Sequence, residues 1–279
     1  MKDFCYKNTR RQISYFILFF LTLGSIYTIF FPNVLVAEMD FENILLPISW
    51  DHWMGTDSLG RELLPRVFYG AGVTLSLGVL SSFTSLIMGS IFAVLVTELR
   101  PSLRRVALRG LDLFLSIPQF IFMVLISVNV FILFEKYKTI IPVDRSWISY
   151  FSLWAGISFT HWATAARWIQ GFIQEEWSKN YVNSAFSIGA GRFRIFHKHI
   201  YPNIKKRCFL LWLTLLPSCI LYEGVMSFLG FGINPPQISL GILINDGWRS
   251  LSEYPHLLLF PSLILFLFVW SINGLINRK

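Results

Sequence analysis

Three groups of residues in this sequence could do chemistry. Glu223 sits inside an apolar run, Asp57, Arg61 and Glu62 cluster ahead of another, and a basic segment from Asn183 to Asn203, NSAFSIGAGRFRIFHKHIYPN, separates two more. A carboxyl such as Glu223 could meet a cation or an amino group. The basic segment could meet lipid phosphates or the surface of another protein. None of the three forms the constellation of an enzyme. The chain contains no G-x-x-x-x-G-K-[ST] loop to cradle a nucleotide, no G-x-S-x-G and no H-E-x-x-H. His197 and His199, two residues apart, do not share a helical face, and His52, His161 and His256 are scattered, so no metal site is expected. Cys5, Cys208 and Cys219 form no C-x-x-C and are read as reduced and structural.

The elements that position these residues follow from composition. Of 279 residues, 54% are hydrophobic and only 14% charged, against about 25% in soluble domains. The apolar residues gather in blocks of about 18 to 26, the length that crosses roughly 30 Å of hydrocarbon as a helix. Six blocks are found: 14–31, 72–97, 110–134, 147–166, 208–232 and 257–276. In lipid each backbone amide must be bonded within its own segment, so the blocks read as helices. Pro118, Pro217 and Pro261 within them predict kinks. The expected fold is therefore an all-α integral membrane protein with six transmembrane helices. The formal charge of +8 does not indicate nucleic acid, because the basic residues lie at block ends and no nucleic-acid module accompanies them.

Orientation follows from the same basic residues. Eighteen Lys and Arg fall in the amino tail, in 100–109, in 167–207 and in the carboxyl tail, while six fall in the alternate loops. By the positive-inside rule both termini and the Asn183–Asn203 segment face the cytoplasm, and the acidic segment with Glu38, Asp40, Glu42, Asp51 and Asp57 faces outward. The first block is longer than a signal-peptide core and lacks a small-x-small cleavage site, so an uncleaved anchor is expected. The organisation is then a cytoplasmic tail (1–13), an anchor (14–31), an outer loop and amphipathic segment (32–71), a membrane core (72–276) with a cytoplasmic loop at 167–207, and a second tail (277–279).

That loop is about 41 residues long where helical bundles use two to eight. Tyr181, Val182, Ala185 and Phe186 form one helical stripe, and Gly189 is placed to stop the helix. A second amphipathic stretch places Phe193, Phe196 and Ile200 on one side and Arg192, Arg194, Lys198 and His199 around the rest, ending at Pro202. Two readings stand: an interfacial pair of helices on anionic membrane lipid, or a knob docking a cytoplasmic protein.

The same stretch resembles the EAA loop of binding-protein-dependent ABC importer permeases. Asn183, Ser184 and Ala185 stand at the E-A-A positions, Gly189 at the glycine, and Ile200-Tyr201-Pro202 at the I-x-L-P end; an acid, an alanine and a leucine are replaced. His52 to Gly78, RGLDLFLSIPQF and Glu223 to Gly241 resemble the C-type permease subunit of dipeptide and oligopeptide importers. The resemblance implies a type I importer bundle in a bacterial cytoplasmic membrane, with Asn183, Ser184, Ala185, Phe186, Ile188, Gly189, Ile200 and Pro202 docking an ATPase. It also implies a B-type permease partner, one or two ATP-binding subunits and an extracytoplasmic binding protein. This chain itself would bind no cofactor; ATP and Mg would be used by the ATPase. The cargo would be peptides, or nickel and other metal chelates carried by related systems.

Other residues keep two readings each. Glu223, with Ser227 and Phe228, either lines the translocation path or holds helices together. Asp57, Arg61 and Glu62 either contact the binding protein or cap the following helix through Asp57. Gly224, Ser227 and Gly230 either pack a helix crossing or let it slide. Asp112 is expected to pair with Arg109 one turn away. The rival functions are a self-contained channel or secondary carrier, and a membrane enzyme.

Overall fold

A computed structural model describes residues 2–30, 39–137 and 144–276. Among them the chain forms helices α1 (Lys2–Phe30), α2 (Leu63–Glu98), α3 (Pro101–Ser116), α4 (Gln119–Lys136), α5 (Arg145–Trp177), α6 (Asn180–Ser187) and α7 (Arg192–Ile195). A π-helical turn, Phe196–Ile200, leads into α8 (Tyr201–Phe228), followed by α9 (Leu240–Arg249) and α10 (His256–Ile276).

Helix α2 shows why this sequence packs as it does. Its buried face carries Gly70, Thr74, Gly78, Ser81, Ser82, Ser85 and Gly89, while Leu80, Phe83, Ile87, Ile91 and Leu95 point outward. A soluble helix has the opposite arrangement. In lipid, apolar side chains gain nothing by leaving the surface, and helices approach through small residues and hydroxyl bonds instead. A methyl group at Gly89 would stand 2.6 Å from the Ala166 amide nitrogen. Close by, Ser85 Oγ donates to Ser158 O at 3.1 Å, and the hydroxyls of Thr84 and Ser158 lie 2.7 Å apart. These contacts lock α2 onto α5, and α8 and α10 complete the bundle.

Among the described residues four helices are long and apolar enough to cross a membrane: α2, α4, the continuous helix Arg192–Phe228 and α10. Helices α1 and α5 cover the first and fourth apolar blocks with 29 and 33 residues, each long enough to span about 30 Å. The inner face of α5 is polar, with Ser146, Ser149, Ser152, Ser158, Thr160 and His161 buried, which lowers its average apolarity.

Several expected boundaries move. The second span begins at Leu63, so the amphipathic segment before residue 72 is part of the same helix, and Glu62, not Asp57, is its N-cap residue. Asp57 is instead drawn to Arg61. The third block is two helices, because Ile117 and Pro118 are extended and α4 restarts at Gln119; the residue before a proline is pushed out of the helical region. The helix of the fourth block continues beyond residue 166 to Trp177, leaving only Ser178 and Lys179 before α6, so the long loop expected at 167–207 is mostly helix. Asp112 reaches Arg167 at 3.4 Å on α5 rather than Arg109 on its own helix.

Candidate functional site

Helix α6 is a short outrigger fixed by one face. Val182 and Ala185 are buried against Ile195, Ile200 and Ile204 and the end of α5 at Ile169 and Ile173. Asn183, Ser184, Phe186, Ser187 and Ile188 are exposed, Ile188 at 86%. The helix ends in a Schellman motif: the Ala190 amide donates to Ala185 O at 3.1 Å and the Gly189 amide to Phe186 O at 2.9 Å. Gly189 adopts φ +82°, and a Cβ there would have open space around it. Glycine is required by the backbone angle and not by crowding.

The second stretch departs from the expected stripe. Ile195 and Ile200 are buried, while Phe193 lies outside at 82% exposure. The π turn accounts for this, since its wider turns bring residues five apart onto one side. Phe193, His197 and Tyr201 form an exposed stack, with ring centroids 5.9 and 6.1 Å apart. Pro202 does not end this stretch; it directly follows the π turn, inside the continuous helix Arg192–Phe228.

Polar contacts brace α6 from both sides. Arg207 on α8 makes two bonds to Glu175 on α5, Nη1–Oε2 at 2.6 Å and Nη2–Oε1 at 2.9 Å. That pair holds the Glu175 carboxyl below the ordinary carboxylate range, the bond from Arg207 being the main cause. Glu176 accepts bonds from Lys179 Nζ and, at 2.7 Å, from Tyr181 OH. Its burial would raise its pKa, but those two bonds and the ammonium outweigh it. Trp177 is covered on one side by Phe186, stacked at 5.8 Å, and the Arg192 guanidinium stands 5.3 Å from its ring centre. Arg192 also approaches Glu98 at the end of α2, at 3.8 Å. The exposed face of α6 is thus carried on a mount tied to α2, α5 and α8.

Glu223 lies far from this mount, fully buried where α8 crosses α2 and α9. Ser227 Oγ donates to its Oε1 at 2.7 Å. Thr74 and Ser239 stand beside the carboxyl, although Oε2 has no bond of good geometry. Thr74 Oγ1 accepts the Leu240 amide at 3.1 Å, tying the start of α9 to α2. Gly241 fits against Gly224 O and the Ser227 Cβ, so these small residues pack the α8–α9 crossing. Phe228 is half-buried, its ring against Trp248 and its carbonyl taking the Asn245 side-chain amide.

In the segment before α2 Asp57 closes a tight loop. Its Oδ1 accepts the amides of Leu59 (2.9 Å) and Arg61 (3.0 Å), and its Oδ2 accepts Arg61 Nε at 2.8 Å. Buried Arg66 approaches the same Oδ2 at 3.4 Å. Glu62 contacts His52. Asp57 and Arg61 therefore hold the loop's shape, and they are brought together with neither α6 nor Glu223.

Residues 85–278 match the family of the binding-protein-dependent transport system inner membrane component. The chain belongs to this family. It is 28% identical over 270 residues to the dipeptide transport system permease protein DppC of Bacillus subtilis (strain 168), covering 96% of this chain and 79% of that protein. It is 25% identical over 266 residues to the oligopeptide transport system permease protein OppC of the same organism, covering 95% and 82%. The fold is that of a solved chain described as an inward-facing conformation of the MetNI methionine ABC transporter. The TM-score is 0.56 at 19% identity, over 77% of this chain and 94% of that one. The family agrees with the resemblance read from the motifs, and this transport-system membrane component is a multi-pass membrane protein.

Sequence reasoning found α6, Gly189 and Glu223, but not Glu98, Glu175, Trp177, Arg192 and Arg207, which hold the mount. The partners Glu175 and Arg207 are 32 residues apart, and no local spacing rule connects them. A tryptophan and an arginine flanking a short helix, Trp177 and Arg192, are the one signal in the sequence that could have found them.

Proposed function

We propose that this transport component forms half of the translocation path of an ATP-driven peptide importer and takes its energy from a separate ATP-hydrolysing subunit through α6. The observation that carries this reading is the combination of a rigid mount with a free face. Val182 and Ala185 are buried into the bundle, while Asn183, Ser184, Phe186, Ile188 and Gly189 are left for a partner, Ile188 forming an apolar knob at the tip. Ile200 supports the knob from beneath, being buried, whereas Pro202 is exposed at the start of α8.

In the mechanism, two ATPase subunits close on ATP and Mg and pull on α6 of this chain and of a second, B-type permease. Each state change is driven by a difference in binding free energy between the two states. The pull reaches α5 and α8 through the packing of Val182 and Ala185 and through Tyr181, bonded to Glu176 and Asn203. The Glu175–Arg207 pair holds α5 and α8 together, and Arg192 and Glu98 link the mount to α2. An extracytoplasmic binding protein delivers cargo to the outward-facing state, and hydrolysis resets the bundle. Both termini and α6 lie in the cytoplasm. Peptides are favoured over metal chelates because the permeases this chain resembles over most of its length are named for dipeptide and oligopeptide transport.

Purification from the native membrane tests the assembly. The expected result is that an ATPase and a second permease come with this chain, and that the reconstituted complex takes up labelled di- or oligopeptides only with ATP. A chain that purifies alone and moves solute without ATP would support the carrier reading instead.

A further inference from the structure

The exposed half of α3 is divided into two faces. At 3.6 residues per turn, Leu103, Val106, Gly110 and Leu113 fall on one side and Arg105, Arg109, Asp112 and Ser116 on the adjacent side. The third side, with Leu111, Phe114 and Leu115, packs on Phe92 of α2 and on Trp162, Ala163 and Ala166 of α5. Val106 is 67% and Leu113 70% exposed, and a Cβ at Gly110 would meet nothing, so among the described residues no part of this chain covers the apolar side. Arg104 is half-buried, and with the Gln170 amide turned so that its oxygen faces the guanidinium, Arg104 Nη2 donates to it at 2.9 Å, whereas Arg100, Arg105 and Arg109 are exposed.

The connections fix the depth of α3. Two residues, Leu99 and Arg100, join it to the end of the membrane-spanning α2, and two more, Ile117 and Pro118, join it to α4. Its carboxyl end touches Phe92 and Trp162, whose rings are 5.3 Å apart within the bundle. Its amino end starts level with the terminus of α2. The helix therefore descends obliquely from the membrane surface, apolar face outward and arginines beside it. This is the arrangement of a helix seated at the boundary between headgroups and acyl chains.

We propose that α3 is a binding surface for anionic phospholipid of the cytoplasmic leaflet. Leu103, Val106 and Leu113 meet the acyl chains, and Arg100, Arg105 and Arg109 meet the phosphates. Charge complementarity selects lipid over a protein partner here, because three exposed arginines border the apolar stripe while the nearby carboxylates are already engaged, Asp112 by Arg167 and Glu98, at the end of α2, by Arg192. The proposal rests on the cytoplasmic placement given above but not on the cargo or the ATPase.

The test places a fluorophore at Val106→Cys in a chain carrying Cys5→Ser and Cys208→Ser, with Cys219 left buried, in the intact complex in nanodiscs. Quenching by spin-labelled phosphatidylglycerol is compared with that by spin-labelled phosphatidylcholine. Quenching is expected from both, and more strongly from phosphatidylglycerol. Arg105→Gln and Arg109→Gln should each lower that preference, by up to about fivefold per arginine. No quenching by either lipid, with cross-linking from position 106 to the second permease, would overturn the proposal in favour of a protein partner. Equal quenching unaffected by the arginine variants would overturn the headgroup selection. Labelling of position 106 by an impermeant thiol reagent from the outside only would overturn the placement, and ATP-driven uptake, measured separately, would be untouched by that result.

Discussion

The Arg207 guanidinium meets the Glu175 carboxylate end-on, with both terminal nitrogens engaged at 2.6 and 2.9 Å. This contact joins the carboxyl end of α5 to the amino end of α8, which flank α6 in the chain. A two-bond pair resists rotation as a single bond cannot, so α6 is mounted on a frame that moves as a unit.

Glu175→Gln should loosen that frame. Hydrogen exchange at the amides of Val182 to Ser187 is expected to speed up in the variant, with the transmembrane amides unchanged. The pH dependence has a definite sign. The carboxyl is held below its ordinary value of about 4.5, so its contribution is present above that pH and is lost as pH falls through the lowered value. Protection of α6 in the native chain should fall in that acid range, and the variant should lack this component.

At Gly189 the cost of substitution is conformational. Gly189→Ala meets no atom within 4 Å but forces an L-residue into φ +82°, which costs about 1–2 kcal/mol. Gly189→Asn should cost less, since asparagine tolerates this region better. The measurement is peptide uptake per ATP hydrolysed, expected to fall in the order Gly, Asn, Ala.

These two regions show what was legible in the sequence and what was not. Helix α6 and its stop at Gly189 follow from local rules, a 3.6-residue stripe and a left-handed terminator, and both lie where expected to within a residue. Pro202 misled because the chain carries the helix on past it, by way of the π turn Phe196–Ile200. Phe193 misled because a π turn shifts the inward face onto Ile195. Asp57 has the residue type of a cap, but Arg61 and Arg66 hold its carboxylate in another direction. Pairs such as Glu175–Arg207 arise only once α5 and α8 are packed, so no spacing within either segment reveals them.

Glu223 separates cargo contact from packing. Glu223→Gln keeps the shape and a partner for Ser227, so folding and uptake should stay within about twofold of the native chain. Glu223→Leu removes the acceptor for a buried hydroxyl, which costs about 1–3 kcal/mol, and should lower the melting temperature of the purified complex. Loss of uptake in Glu223→Gln at normal protein level and melting temperature would instead assign the carboxyl to the cargo path.

The α2–α5 crossing has no room at Gly89. Gly89→Leu drives a side chain into the Ala165–Ala166 backbone and should destabilise the bundle by about 1–3 kcal/mol. Thermal unfolding in detergent is the check, with Gly110→Leu, at an open position, as the tolerated control.

The account depends most on what touches the tip of α6. A photo-cross-linker at Ile188, in the assembled complex, should capture the ATP-hydrolysing subunit, with a yield that changes between nucleotide-free and ATP-bound states. The same probe at Trp50 in the outer segment should capture none of it. No ATPase adduct from position 188 in any nucleotide state, in a complex that still hydrolyses ATP and imports peptide, would contradict the docking role of this helix.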